Sequence, residues 1–448
     1  MVKVRVSDKY KRYSIVEMKN DHPEKFGRFI MALSNLIASP EWSRICGIHG
    51  NTFMPNDPGV LCPTDPKVIA VISQTGEPVY CKHSVPTFIA WHTPYIYQFE
   101  LLLNKYSTSK VDEWNYITLP YLDLTNFKDN FDFINDPTIT IFFDKRRITI
   151  PNPLSGAYYY VDGVKTPTTR NGFLSPRTPK EYMQLRTVKK QLNNCLYATT
   201  YEQFSAALET PHNSLHDIIG GDLGNMSDIS ISAFDPIFWL HHCNMDRHFY
   251  TWMYNNTCQF DRSLPDTMIT DSTLNATHAP FFKNYIYDTN SRKYNYGWLN
   301  TSGTYMELKD TLQLSRFPYT YHIIVPGPQT PVKSYVELTN IAIPMESMAI
   351  SVYFHPSGKP LDREKHFAGS AFWFGLNRKT RACQRCKVAR TTVQIDIDEF
   401  VGQYGITSES INSYEMLIEG DGLLSRVSTN YTLDSLLSGS RYKVVIGV

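Results

Sequence analysis

Residues 24–45, EKFGRFIMALSNLIASPEWSRI, place Phe26, Phe29, Ile30, Leu33 and Ile37 at intervals of three and four, the spacing of one apolar helix face. A second helix is predicted over 84–104, with Ser84 as its cap, Pro86 in its first turn and Phe88, His92, Ile96 and Phe99 along one face. A third is predicted from about Thr200 through Leu215, and a fourth from Asp235 to about Tyr254, capped by Asp235 and opened by Pro236. Residues 105–180 and 255–315 are polar, rich in Tyr, Asn and Pro, and weakly periodic, so they read as long connections with short strands. After RFPYTYHIIVPGPQTPVKS the period changes to two. SYVELTNIAI, MAISVYFH, SAFWFGL, TTVQIDID and YKVVIGV read as short strands. The pattern therefore predicts a mainly α domain over 1–325, a Pro-rich linker over 326–333, and a β-rich, sandwich-like domain over 334–448.

Composition narrows this little. The 448 residues are 42% hydrophobic, enough for a substantial core, and a formal net charge of +1 gives no footprint for nucleic acid or for a charged membrane surface. No apolar run has membrane-spanning length, and MVKVRVSDKYKRYSIVEMKNDHPEK lacks an apolar signal core, from which an intracellular location is expected. Eight cysteines in a chain of this length are weak evidence for disulfides. Two placements stand out: Cys81, two residues before His83, and the C-x-x-C of Cys383 and Cys386.

The histidines change the picture more. Five of them fall within the 37 residues from His212 to His248. His212 and His216 are spaced i, i+4, so both imidazoles leave one helix face on successive turns. His241 and His242 are adjacent, roughly 100° apart around a helix, so both cannot point at one site. His242 shares its stripe with Phe238, Met245 and Phe249, which favours it as the inward residue. His83 must approach from a loop ahead of the second helix, while His92 points inward from that helix. His49, in CGIHG, lies just past the first helix, where Gly47 and Gly50 permit a sharp turn. Two groups of three result, His49, His83, His92 and His212, His216, His242. Sites made of imidazole alone point to zinc or copper, and a dinuclear zinc hydrolase is disfavoured because such sites normally include bridging carboxylates.

HSVPTFIAWHTPYIYQFE, with His83, Phe88, Trp91, His92 and Glu100, resembles the first copper signature of the tyrosinases, in the type-3 dicopper family that also holds catechol oxidases and haemocyanins. DPIFWLHHCNMD resembles the second signature, in a register that makes His242 the ligand. The resemblance covers roughly residues 24–325. It implies an antiparallel four-helix bundle around two copper ions, held by the two histidine groups. Thr93 stands where the family usually has arginine, which puts one supporting salt link in doubt. Cys81-Lys82-His83 resembles the fungal C-x-H, implying a thioether between Cys81 and His83. Tyr319-Thr320-Tyr321 looks like the tyrosine motif that closes the catalytic domain. The β-rich remainder resembles the shielding domain of latent proenzymes. In that domain Cys383 and Cys386 match a pair implicated in copper loading, and Phe374 matches a plugging aromatic, with Phe372 and Trp373 as rivals.

The same resemblance implies ortho-hydroxylation of monophenols and oxidation of o-diphenols to o-quinones with O2. A phenol of pKa about 10 must lose its proton at neutral pH, and a water held by a carboxylate and an amide can take it. Glu209 and Asn213, in E-x-x-H-N, match that pair. Asp217, after His216, is expected to face the site entrance and to favour amine over carboxylate substrates. Ile229, thirteen residues before His242, matches a small aliphatic gate. The partners implied are phenolic small molecules, O2 and an activating protease. The competing readings are a catechol or o-aminophenol oxidase without hydroxylation, and a haemocyanin-like oxygen carrier.

Overall fold

The computed structural model describes residues 10–50, 80–108, 116–161, 163–257, 264–282, 305–312, 317, 319–342, 347–373, 390–422 and 441–447. The chain divides into two compact units. One comprises Met1–Thr168, Cys195–Glu209 and Ile231–Pro326; the other comprises Thr169–Asn194, Thr210–Ser230 and Gly327–Val448. The β-rich remainder therefore shares its unit with two helical stretches that sequence alone assigns to the catalytic domain.

In the first unit, α1 (Ile15–Asp21) comes first, and α2 (Pro23–Ile37) and α3 (Pro40–Gly50) replace the single helix predicted over 24–45. The break falls at Ser39-Pro40. Proline has no N–H for a continuing ladder and disfavours the helical region for the residue before it, yet it suits the first turn of the next helix. The Ser39 hydroxyl donates to the Leu36 carbonyl at 2.8 Å and closes the end of α2. His49 thus belongs to the last turn of α3 rather than to a turn beyond it.

The helix α4 (Phe88–Lys105) begins four residues later than predicted, after Thr87. Every residue from Phe88 to Asn104 is buried, which marks α4 as a core helix rather than an amphipathic surface one. Of two further helices, α5 spans Pro179–Cys195 and α6 spans Tyr201–Gly220, the latter passing from one unit to the other. The helix α7 (Pro236–Thr257) is opened by Asp235, whose Oδ1 accepts from the Ile237 N–H at 3.0 Å. It packs against α4 through the Phe99–Trp239 stack, with centroids 3.9 Å apart and planes 9° from parallel.

The 105–180 connection carries two antiparallel hairpins, β1 (Thr138–Phe143) with β2 (Arg146–Pro151), and β3 (Tyr158–Val161) with β4 (Val164–Pro167). Asp144 and Lys145, both with positive φ, form the first hairpin's two-residue turn, whose twist matches its strands. Gly27 lets α2 approach β1, since a Cβ there would lie 2.0 Å from the Phe142 carbonyl oxygen. Strands β5 (Thr277–Phe282) and β6 (Tyr305–Glu307) pair farther along the same unit.

In the second unit, β7 (Tyr335–Ala342), β8 (Met348–Pro356), β9 (Phe367–Trp373), β10 (Arg390–Asp396), β11 (Tyr414–Gly422) and β12 (Arg441–Val445) form two antiparallel sheets, ordered β10-β7-β12 and β11-β8-β9. Val336, Leu338, Ile350, Val352, Phe367 and Ile395 fill the core between them, joined by Met183 of α5. Gly369 brings β9 onto β10, where a Cβ would meet the Asp396 carbonyl oxygen at 2.4 Å. Lys190 of α5 bonds Asp396 at 2.8 Å and Asp398 at 2.5 Å. Asn193 accepts from the Gly327 N–H at 2.7 Å, and Asn194 from the Thr330 N–H at 3.0 Å, so the linker lies along the end of α5. No helix among the described residues is long and apolar enough to cross a membrane.

Candidate metal centre

In the first unit three elements deliver three imidazoles. His49 comes from the end of α3, His83 from the loop ahead of α4, and His92 from one turn inside α4. Their ring centroids form a near-equilateral triangle, with separations of 5.6 Å (His49–His83), 5.7 Å (His49–His92) and 5.6 Å (His83–His92). With the Cys81 sulfur, their potential ligand atoms lie within 4.8 Å of one another. Burial pushes the His92 pKa down to about 3, so the ring is neutral, the form a metal requires. Its Nδ1 lies 2.8 Å from the Phe88 carbonyl and must carry the proton, which makes Nε2 the nitrogen that presents a lone pair.

The second unit supplies His212 and His216 from successive turns of α6, both fully buried. His216 Nδ1 lies 2.7 Å from the Met226 carbonyl, and His212 Nδ1 lies 2.8 Å from Asn213 Oδ1. Each Nδ1 therefore donates, and the two Nε2 lone pairs face each other at 3.1 Å. Such a pair is repulsive without a cation between the rings. The donor set thus fits a metal ion on geometry and tautomer alone.

His242, on α7, stacks on His92 with centroids 4.3 Å apart and planes 16° from parallel, and lies 6.2 Å from His49. The His241 ring is 5.2 Å from that of His242, with planes 72° apart.

Cys81 Sγ is 3.3 Å from His83 Nδ1 and 3.9 Å from Nε2, against the edge of the ring the thioether would join, and 3.5 Å from His92 Nε2. Ser84 is not a helix cap. Its φ is +56°, and its N–H donates to Glu209 Oε1 at 2.7 Å. The left-handed conformation costs a residue with a Cβ roughly 1–2 kcal/mol, and a hydrogen bond to a charged group contributes roughly 1.5–3 kcal/mol, so the carboxylate contact is large enough to hold this turn. Burial drives the Glu209 pKa up to about 7, against the lowering effect of the Ser84 N–H.

Asn213 stands four residues beyond Glu209 on α6, and its side-chain oxygen supports His212. Asp217, half-buried, lines a groove with Ser214 and Ile218 of α6, Gln184 and Val188 of α5, and Gly369, Ser370 and Phe372 of β9. Ile229 is buried in the second unit. Phe374, Cys383 and Cys386 lie outside the described residues.

Sequence reasoning missed two buried residues, Arg12 and His278. Arg12 donates through Nε to Glu100 at 2.7 Å and through Nη1 to Asp246 at 3.3 Å, with its guanidinium 3.4 Å from the Tyr319 ring centre. Thr93 donates its hydroxyl to Asp246 at 2.7 Å. Tyr319 and Tyr321 donate to the same carboxylate at 2.9 and 2.7 Å. The cation missing at position 93 is thus supplied from position 12. The available signal was two acidic residues, Glu100 and Asp246, inside apolar helices, which require a cation from elsewhere. His278 of β5 is fully buried, and burial lowers its pKa to about 3; nothing in its local sequence marks it.

Comparison with known proteins places this geometry. The common central domain of tyrosinase matches residues 39–255. A tyrosinase of Neurospora crassa is 27% identical over 311 residues, covering 56% of this chain and 44% of that protein. The chain spans about half the length of the curated relatives it matches first. A structure of latent and active mushroom tyrosinase shares the fold at a TM-score of 0.67 and 18% identity, covering 97% of this chain and 92% of that one. A functional unit of octopus haemocyanin shares it at 0.61 and 17% identity, covering 98% and 100%. Tyrosinases use two copper ions, and the histidine groups described above fit them. Residues 39–255 thus match the common central domain of tyrosinase, and the chain is similar to fungal tyrosinases around that domain.

Proposed function

We propose that the chain hydroxylates monophenols ortho to the hydroxyl and oxidises o-diphenols to o-quinones, with one copper held by His49, His83 and His92 and the other by His212, His216 and His242. The copper pair, when bound, would activate O2 and relay to it the electrons drawn from the phenolic substrate. The protein's part is to fix the imidazoles, exclude water and handle protons. The observation that carries hydroxylation is Glu209. It is a buried carboxylate three residues ahead of His212 whose proton affinity lies near neutrality, where a general base is most effective. A phenol proton of pKa about 10 then has an acceptor within a few units, reached directly or through one water. Asn213 keeps the His212 tautomer while this occurs. Ile229 limits the width of what enters, and Asp217 draws ammonium groups.

Latency is part of the proposal, and Phe372 of β9 supports it by lining the same groove as Asp217. Oxygen uptake by the copper-loaded protein with tyramine and with dopamine, before and after cleavage within 322–334, tests the reading. Uptake with both substrates that rises on cleavage is expected. Uptake with dopamine alone makes the chain a catechol oxidase. Reversible O2 binding with no uptake from either phenol, cleaved or intact, makes it an oxygen carrier.

A further inference from the structure

His83 sits in the 80–87 stretch, in neither helix nor strand, where helix geometry cannot orient it. Two contacts bracket it. On the N-terminal side, Cys81 Sγ lies against the ring. On the C-terminal side, the next residue, Ser84, turns at φ +56° and gives its N–H to Glu209 Oε1 at 2.7 Å. Ser84, Val85 and Pro86 are exposed, whereas Glu209 is buried on α6, so the carboxylate reaches outward from a rigid helix to a loop with little packing of its own. A single acceptor oxygen fixes the peptide that leaves His83, and with it the direction of the His83 side chain.

We propose that Glu209 is a positioning residue for His83, acting through the backbone N–H of Ser84. This rests on the reading of His83 as a copper ligand, and it gives Glu209 a second task beside proton acceptance. One carboxylate oxygen holds the loop of the first ligand group, which leaves the other to serve the substrate side. The same residue then links the geometry of the first copper to the base used in hydroxylation.

Two conservative variants separate the tasks. Glu209→Gln keeps an acceptor oxygen at the same reach and loses the charge. Glu209→Asp keeps the charge and loses one carbon of reach. Hydrogen exchange at the Ser84 amide, resolved by fragmentation in the metal-free full chain, is the first readout. Copper retention under chelator challenge is the second. Ser84 protection in Glu209→Gln should match the unsubstituted chain, with both coppers retained and hydroxylation lost. Glu209→Asp should exchange at least tenfold faster at Ser84 and release about half its copper first. Unchanged Ser84 exchange in Glu209→Asp, or lost protection in Glu209→Gln, overturns the proposal. So does faster exchange that spreads along Phe88–Lys105, because the carboxylate would then support the fold rather than the loop. Failure of the copper reading shows separately, as loosening at Ser84 with no copper bound by any form.

Discussion

The two sets of histidines gather their imidazoles by different means. His212 and His216 need only a helix: four residues of separation bring their Nε2 atoms to 3.1 Å, and the Met226 carbonyl and Asn213 fix their tautomers. His49, His83 and His92 come from a helix end, a loop and a helix interior. Their triangle of 5.6, 5.7 and 5.6 Å exists only because α3, α4 and the 80–87 loop are held by contacts from elsewhere. A pair built on one helix carries its own preorganisation, whereas a triad assembled from three segments depends on the frame around it.

The strongest way to break the triad is therefore to break its frame. Arg12, fully buried, ties Glu100 of α4 to Asp246 of α7. Arg12→Met would leave two buried carboxylates without their cation, a loss of about 3–5 kcal/mol. Urea unfolding followed by tryptophan fluorescence should show the midpoint fall sharply, with copper lost from the triad before the His212–His216 pair. Loss from both together would mean that the pair also depends on this frame.

Glu209 gives a pH-dependent version of the same test. Its folded pKa, raised by burial from 4.5 to about 7, means that the folded protein binds this proton more tightly than the unfolded chain. Stability of the metal-free protein should therefore fall as pH rises from about 4.5 to 7, by a few kcal/mol at most, and level off above that window. Glu209→Gln has no proton to lose and should be flatter by that amount. Equal pH profiles for the two proteins would show that the carboxylate does not experience the burial its position implies.

Cys81→Ser is a smaller and more local change. It removes the sulfur packed on His83 and should weaken copper at the triad by roughly 10–100-fold, the usual effect of removing a group that orients a ligand. The helix-borne pair should be unaffected. Chelator competition, read as two separate release phases, distinguishes the sites. A uniform weakening would erase the distinction between loop-borne and helix-borne ligands.

What the sequence shows of this centre follows the same division. Periodicity reveals the i, i+4 pair and the apolar stripe carrying His242, because both are local properties of one helix. It also yields β7, β8 and β10 nearly to the residue, since alternation is equally local. It fails where a tertiary contact decides. Ser84 reads as a helix cap because Ser-x-Pro usually is one, but its N–H is claimed by Glu209, 125 positions away. The helix α5 escapes the pattern because it is largely polar, while Met183 joins the core of the C-terminal sheets, a contact that only folding supplies. The strand β11 fell within a stretch without clear alternation. Thr93 signals a missing cation, and only folding shows that Arg12 replaces it.

The smallest expected effect concerns the groove next to the helix-borne pair. Asp217 follows His216 on α6 and is half-buried beside Gly369, Ser370 and Phe372 of β9. A partly solvated carboxylate attracts the ammonium that both substrates carry and repels the carboxylate that only tyrosine carries, by about 1 kcal/mol or less, and salt screens that further. Asp217→Asn should therefore reduce the preference for tyramine over tyrosine, measured as a ratio of kcat/KM in protein cleaved at the linker, by roughly two- to fivefold at low salt. The reduction should shrink as ionic strength rises. If the ratio stays fixed while the uncleaved variant gains activity, Asp217 acts on β9 rather than on substrate. The groove would then belong to the shield, and specificity would have to come from the loop-borne side of the centre.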